Sequence, residues 1–404
     1  MRFLCHTVKR IGIAVRPFAA IAAMAALSCP AARAADFDVA AYVWPAYQPD
    51  PRWAELGIFG DGKGEWQNLY EAVKRAPDDI WGVKPLWGYE SDADPVAVAR
   101  KIDAATAAGV NVFIYDWYWY GGRPFLEDAL DKGFLGAKNS ERMKFFIMYA
   151  NHSVNGIWNN KISTADGKNK VVWPAKITDE DWREIVDRWI AYFKRPNYYK
   201  IDGRPVLSIY MLGFFINWDG LDKAKERLAF LRERVKAVGF PGLHLQATLQ
   251  GYSEERKDQY AALGVDSATC YNMGPKARRR IANASLPEPD YAEICDTMIG
   301  ELDELRDRCG AFGATYVPVV AIGWDNNARY PVGETKRRIR NQSPEKFEHL
   351  VRRTCDWADA NLKPPMSKLV IVNSWNEWTE GGYLEPDDRF GYGFLDALRR
   401  VFVK

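Results

Sequence analysis

The chain has 404 residues, 48% hydrophobic and 27% charged, with 31 Gly and 22 Pro, which excludes disordered, collagen-like and small disulfide-scaffold classes. A formal net charge of only +2 leaves no basic excess for neutralising a phosphate backbone, so nucleic-acid binding has no electrostatic basis. The outlier is aromatic content: 16 Trp and 20 Tyr fit either an aromatic-rich core or flat amphipathic surfaces of the kind that meet sugar rings.

Residues 1–34 read as a secretory signal peptide. Arg2, Lys9, Arg10 and Arg16 precede an apolar run, Pro17 to Leu27, and Ala32-Arg33-Ala34 forms a small-x-small cleavage site. The run is too short to cross a bilayer. Cleavage after Ala34 removes five basic residues and no acid, so the net charge moves from +2 to −3. The expected location is periplasmic or secreted. Cys270, Cys295, Cys309 and Cys355 remain, with no C-x-x-C pair, and two disulfides or four buried thiols are both open. The remaining histidines are His152, His244 and His349, too few to suggest a metal site, and no metal or organic cofactor is expected.

From residue 35 onward, short apolar runs rich in β-branched and aromatic residues predict eight strands. In chain order they are Phe37–Val43, Val110–Trp117, Lys144–Tyr149, Pro205–Tyr210, Leu243–Leu249, Val265–Tyr271, Tyr316–Ile322 and Lys368–Ser374. Several are continuously apolar, as buried parallel strands are. Helical patterns lie between them at Asp94–Ala108, Thr178–Lys194, Leu221–Val238, Pro289–Arg308, Ser343–Asn361 and Phe390–Val403. Eight strands each followed by a helix predict a single-domain (β/α)8 barrel over residues 35–404, with extended loops at its C-terminal face. An open doubly wound sheet is the alternative, but no G-x-G-x-x-G follows the first strand. The Gly- and Trp-rich connection Pro45–Pro95 is expected to fold over the barrel mouth.

Active sites of such barrels sit at the C-terminal strand ends. The candidate substrate-binding residues there are Tyr42 and Trp44, then Asp116, Trp117 and Tyr118, then Asn151, Tyr210 and Tyr271, then Trp324 and Asp325. The eighth run adds Trp375, Asn376, Trp378 and Glu385. His152, Gln250, Asn272 and Arg329 also end strands. Amides, carboxylates and rings together suit carbohydrate; a phosphate site would call for a Gly-rich loop with Lys or an Arg cluster. The sharpest signal is NSWNEWTEGGYLEP, Asn373–Pro386, where Glu377 and Glu380 stand three apart between tryptophans. On a strict strand they would face opposite sides, but a turning strand end lets them converge. Glycosidic cleavage uses such a carboxyl pair, one member holding a proton near neutral pH.

Trp375–Gly381, continuing to Leu384-Glu385-Pro386, resembles the last-strand motif of glycoside hydrolase family 99 and, more closely, that of its bacterial WbsX-like relatives, which are labelled glycosyltransferases. GEWQN at Gly64–Asn68, PLWGYESDADP at Pro85–Pro95, VFIYDWYWYGG at Val112–Gly122, YYKIDGRPVLSIY at Tyr198–Tyr210 and GWDNNAR at Gly323–Arg329 fit the same group, and Glu65 and Trp66 join the candidate binding set. The resemblance implies a (β/α)8 retaining endo-α-mannosidase-like enzyme working through a 1,2-anhydro sugar. Glu377 would be the base on the sugar 2-hydroxyl and Glu380 the general acid/base at the leaving oxygen. The chain departs from the group at Thr379, and at YANHS (Tyr149–Ser153), where many WbsX-like chains have an extended Asn-Glu-Asn-Trp.

The expected activity is therefore hydrolysis of an α-linked, mannan-like or other polysaccharide. The alternatives are a WbsX-like glycosyltransferase of polysaccharide biosynthesis and a non-catalytic glycan-binding protein. Nucleotide-sugar donors are cytosolic, which weighs against transfer by an exported chain, and binding alone needs no proton donor. Neither H-E-x-x-H nor G-x-S-x-G is present. Intact mass and N-terminal sequencing of the protein from the periplasm or medium should give Ala35 as the first residue; a retained Met1 in that fraction would refute export with cleavage.

Overall fold

The computed structural model describes residues 37–74, 81–285 and 287–403. The segment read as a signal peptide, 1–34, lies outside the described residues. The strands are β1 (Asp38–Val43), β2 (Val112–Tyr120), β3 (Lys144–Tyr149), β4 (Arg204–Ile209), β5 (His244–Thr248), β6 (Ser267–Thr269), β7 in two pieces (Thr315–Tyr316 and Val319–Ala321) and β8 (Leu369–Asn373). Each pairs in parallel with its neighbour: Ala40 with Ile371, Tyr42 with Ile114, Tyr115 with Ile147, Ile147 with Leu207, Val206 with His244, and Ala247 with Ala268.

β7 carries the ladder from β6 to β8. Its first piece pairs with β6 and its second with β8. Pro318 lies between them. Having no N–H, it cannot continue a two-sided ladder, and the chain changes partner there. Val317 N–H donates to Ala268 O at 2.8 Å, and Pro318 O accepts from Ile371 N–H at 3.0 Å. The result is a single-domain (β/α)8 barrel in which the predicted seventh strand, Tyr316–Ile322, is interrupted.

The helices form where the sequence punctuates them. Pro95–Ala107 starts behind Asp94, whose carboxylate accepts from Val96 N–H, with Pro95 in the first turn. Asp179–Phe193 starts with a Thr178/Asp181 capping box and buries Trp182, Ile185, Val186, Trp189 and Phe193 along one stripe. The strict alternation of strand and helix breaks between β2 and β3, where only a single π turn, Ala129–Phe134, replaces the expected helix. Gly133 lies so close to Asp92 O that a Cβ would overlap it, which leaves no room for a full helix beneath the first loop. The predicted Pro289–Arg308 helix is two, Tyr291–Gly300 and Leu302–Gly310. The junction residue, Glu301, is buried and accepts from Lys276 N–H at 2.9 Å. All four described cysteines are free and buried. Among the described residues no helix is long and apolar enough to cross a membrane.

A second aromatic cluster caps the mouth. Tyr47, Trp53, Phe59 and Trp66 of the first connection pack with Tyr118 and Tyr120 of β2, Trp158 and Trp378. Trp218 touches both this layer and the barrel core, so the cap is continuous with the domain. The first connection thus does fold over the mouth, and ionic groups pin it there. Lys101, on Pro95–Ala107, reaches Asp92 at 2.5 Å and Glu385 at 2.6 Å, all three buried. Asn376 donates to Asp92 at 2.9 Å and clamps Trp44 through both its backbone N–H and C=O. Burial pushes the Asp92 carboxyl up to about 6 against the pull of Lys101.

Lys101→Met would leave two buried carboxylates without their cation. Losing one partner of a buried ionic cluster costs about 3–5 kcal/mol. Denaturant unfolding should show a loss of that size, and a change below about 1 kcal/mol would mean the cluster does not hold the cap.

Candidate active site

The acid pair is brought together by the turn at the end of β8. Asn376–Glu377 runs antiparallel to Gly382–Tyr383, and Trp378–Glu380 between them is one 3-10 turn. Three residues per turn places i and i+3 on the same side, so Glu377 and Glu380 converge. Gly381, at φ 67°, closes the hairpin in a left-handed conformation that suits glycine. Ser374 Oγ fixes the entry by accepting from Glu377 N–H at 2.8 Å and donating to Gly382 O at 2.5 Å.

Arg329 holds the pair. It lies on the Asn327–Arg329 turn after β7, with 3% of its side chain exposed. Its guanidinium contacts Glu380 directly, lies 3.6 Å from Glu377, and bonds Glu65 at 2.7 Å through Nε. Glu65 also accepts from Trp44 Nε1 at 2.6 Å. The tight loop that delivers Glu65 depends on Gly64, at φ 63°, where a Cβ would collide with Ala46 O. Lys168 Nζ donates to Arg329 O at 2.6 Å, and Asp325 N–H donates to Glu380 O at 2.7 Å, locking the two loops together.

Protons are scarce in this setting. Burial, then the charge of Glu380, pushes the Glu377 carboxyl well above the carboxylate range. Burial also raises Glu380, but Arg329 pulls it back. Both carboxyls are thus pushed toward the protonated form, Glu377 without the close guanidinium contact that Glu380 has. Tyr271 OH lies 3.0 Å from Glu377 Oε2 and 3.1 Å from Asp116 Oδ2. One hydroxyl hydrogen serves one of them, so the other contact requires a proton on a carboxyl. Burial raises Asp116 well above its ordinary range too.

These groups line a cavity of about 340 Å3, within the size range of small-molecule sites. Of the sequence-predicted residues, Trp44, Asp116, Tyr118, Tyr210, Tyr271, Trp324, Glu377 and Glu380 line it. Tyr42 stands one layer below, its ring 4.7 Å from that of Tyr271. Glu65 stands behind Arg329. The remaining candidates are structural. Asn151 spends its amide on both backbone groups of Met211. Asp325 accepts from Asn327 N–H and Nδ2. Trp117 packs between Trp119 and Trp189, and Trp375 against Phe113. Trp66 and Trp378 belong to the cap, where Trp378 stacks on Tyr383 at 3.7 Å and donates to Glu385. Asn376 and Glu385 serve the ionic cluster. Trp158, on the turn Gly156–Trp158, and Arg278, on the helix Pro275–Ala282, line the cavity from positions that no strand-end rule reaches; Arg329, His152, Gln250 and Asn272 do so from positions the strand ends marked. Burial lowers the His152 imidazole, whose ring lies against Tyr118 and Tyr210.

Comparison with known proteins places this arrangement. Residues 39–398 match the family described as Glycosyltransferase WbsX. The chain belongs to the WbsX family. Two curated relatives, each an uncharacterized protein WxcX from a strain of Xanthomonas campestris pv. campestris, are 28% identical over 381 residues. That alignment covers 90% of this chain and 49% of theirs, so the WbsX-family chain spans about half the length of these relatives. Among solved structures, a glycoside hydrolase-like protein superposes with a TM-score of 0.57 at 16% identity, covering 91% of this chain and 94% of the other. The GH99 endo-alpha-mannosidase from Bacteroides thetaiotaomicron superposes with a TM-score of 0.50 at 15% identity, covering 91% and 96%. The WbsX-family chain thus has the barrel fold of these glycoside hydrolases.

A carboxyl whose folded pKa lies above its unfolded value contributes stability at low pH that is lost as pH rises through the folded value. Glu377 is in that position, and Glu377→Gln, which keeps the neutral shape, is exempt from the loss. Melting of both proteins between about pH 5 and pH 8 should show the variant gaining on the wild type as pH rises. A pH-independent difference would mean that Glu377 is not held protonated.

Proposed function

We propose that the protein cleaves an O-glycosidic bond in an α-linked, mannan-like or related polysaccharide, with Glu377 and Glu380 as the reacting pair. The observation that carries this reading is a buried carboxyl pair, oriented by a buried arginine, in the wall of an aromatic cavity at the C-terminal end of a barrel. Aromatic faces match the apolar faces of sugars, and the pair supplies a base and an acid in one step. Asp116 Oδ1 has no partner among the described residues and is available to a sugar hydroxyl.

In the proposed reaction, Glu377 takes the proton of the sugar 2-hydroxyl as O2 bonds to C1. The bond from C1 to the bridging oxygen breaks, and that oxygen receives the proton of Glu380. Water then opens the 1,2-anhydro sugar at C1, giving its proton to Glu380 while O2 recovers one from Glu377. The charges balance at each stage, and the configuration at C1 is retained. For this step the proton of the pair resides on Glu380 when the 2-hydroxyl arrives, leaving Glu377 free to act as the base. Export, read from residues 1–34, is part of the proposal and places the enzyme with polysaccharide, away from cytosolic sugar donors. The family description favours one second reading, glycosyl transfer in polysaccharide assembly; consumption of a nucleotide sugar with no release of reducing ends from any polysaccharide would select it.

Glu377→Gln and Glu380→Gln should each keep the fold and lower turnover by about 10²–10⁴-fold. An activated aryl glycoside, whose leaving group departs with little protonation, should rescue Glu380→Gln and leave Glu377→Gln impaired. A 2-deoxy substrate should be inert. If the 2-deoxy substrate is turned over well, Glu377 attacks C1 directly; near-wild-type turnover in either Gln variant would show that the pair is misassigned.

A further inference from the structure

The cavity contains a second cation, and its situation differs from that of Arg329. Arg278 lies on the helix Pro275–Ala282 that follows β6, and its side chain lines the cavity. Arg329 contacts three carboxylates. Arg278 forms no ion pair among the described residues, and the one hydrogen bond it makes runs from Nη1 to Gln250 Oε1. The Nη2 and Nε edge of its guanidinium is uncommitted. Two residues on, Arg280 is satisfied outside the cavity by Glu293.

The groups around Arg278 are donors. Gln250 gives its carbonyl oxygen to Arg278 and keeps its amide N–H groups. Asn272 spends its oxygen on Met273 N–H at 2.7 Å and likewise keeps its amide N–H groups. Both line the cavity, as does Tyr210. The wall formed after β4, β5 and β6 thus presents N–H donors and a positive charge. It shares the cavity with the acid pair and meets it at Tyr271, which follows β6 and contacts Glu377. The acidic side is already matched: Glu380 to Arg329, Glu377 and Asp116 to Tyr271. Neutral hydroxyls would leave the half-buried Arg278 guanidinium, which feels Glu301 only at longer range, without a directly bonded anion at the cavity wall. A planar carboxylate fits the free fork of the guanidinium bidentately and takes the amide donors as well.

We propose that the substrate is acidic, carrying a uronic-acid carboxylate that binds Arg278, Gln250 and Asn272 in the same cavity as the acid pair. This rests on the carbohydrate reading of the cavity and names the class of sugar that the reading leaves open. Arg278 is a specificity residue; it has no part in the proton transfers.

Calorimetric titration of the full chain with trigalacturonate and with its methyl ester tests the proposal, since the two differ in charge and little in shape. The acid should bind more tightly than the ester, and its affinity should fall as salt is added. Arg278→Met should reduce the ratio of acid to ester affinity by about tenfold to a hundredfold, the worth of a charge-assisted hydrogen bond. Unchanged melting of the variant would establish that the fold is intact, and Arg278→Lys should recover part of the ratio. Equal affinity for acid and ester, or a preference that survives Arg278→Met, would overturn the proposal while leaving a sugar-binding cavity. Binding of neither would also overturn it, and failure to cleave any neutral or acidic polysaccharide would then separately remove the carbohydrate reading.

Discussion

Arg329 brings together carboxylates from opposite ends of the chain: Glu65 from the loop after β1, and Glu377 and Glu380 from the turn after β8. One positive charge faces three acids in a space nearly closed to water. Two like charges 4 Å apart repel by about 4 kcal/mol at an effective dielectric of 20, so three full negative charges around one guanidinium would be unstable. The cluster resolves this by retaining a proton. Glu65 and Glu380 take the close contacts of the guanidinium. Glu377, 3.6 Å away, lacks such a contact, and burial with the charge of Glu380 pushes its carboxyl toward the protonated form. The same contacts that fix the geometry of the pair therefore fix its charge state.

The aromatic cap gives that arrangement its force. Trp44 lies beside the guanidinium, 5.5 Å from ring centroid to Cζ, and donates to Glu65. Trp158 packs on Trp44. These rings exclude water from behind the cluster while leaving one side of it to the cavity. Glu380 keeps 13% of its side chain exposed and Glu377 only 5%. The more open of the two is thus the one proposed to hand a proton to the leaving oxygen, and the deeper is the one proposed as the base. The ionic cluster of Lys101, Asp92 and Glu385 acts one layer further out. It holds the first connection, and with it Trp44 and Glu65, against the barrel end.

Much of this was legible in the sequence because burial on both faces leaves a plain mark. VFIYDW, KFFIMY and KLVIVN can only be strands inside an α/β layer, and seven of the eight runs match a strand closely. The acid pair was legible because two carboxylates amid tryptophans at a strand end are costly unless used. Direction was not legible. Trp375, Asn376 and Trp378 sit beside Glu377 in sequence but point into the wall or the cap, since consecutive residues on a turning strand face different ways. Asn376 looks like a sugar ligand and is a clamp for Trp44. Asp92 and Lys101 carried no signal, because each reads as a surface charge until the other is beside it. The interruption of β7 was visible as Pro318, but a proline alone does not tell which ladder ends and which begins.

The position of Tyr271 bears on how the pair can work. Its hydroxyl lies between Asp116 and Glu377, and with one hydrogen it cannot satisfy two ionised carboxylates. As long as Glu377 holds the pair's proton, it can donate to the phenol oxygen, and the phenol hydrogen is free for Asp116. Once Glu377 gives that proton toward Glu380, the hydroxyl must turn to Glu377, and Asp116 loses its donor unless it is itself protonated or a sugar hydroxyl takes its place. Burial already raises Asp116 above its ordinary range. A substrate hydroxyl on Asp116 would thus compensate the turn of Tyr271 that prepares Glu377 as a base. In the proposed reaction, substrate binding and preparation of the acid pair would then be linked through one phenol.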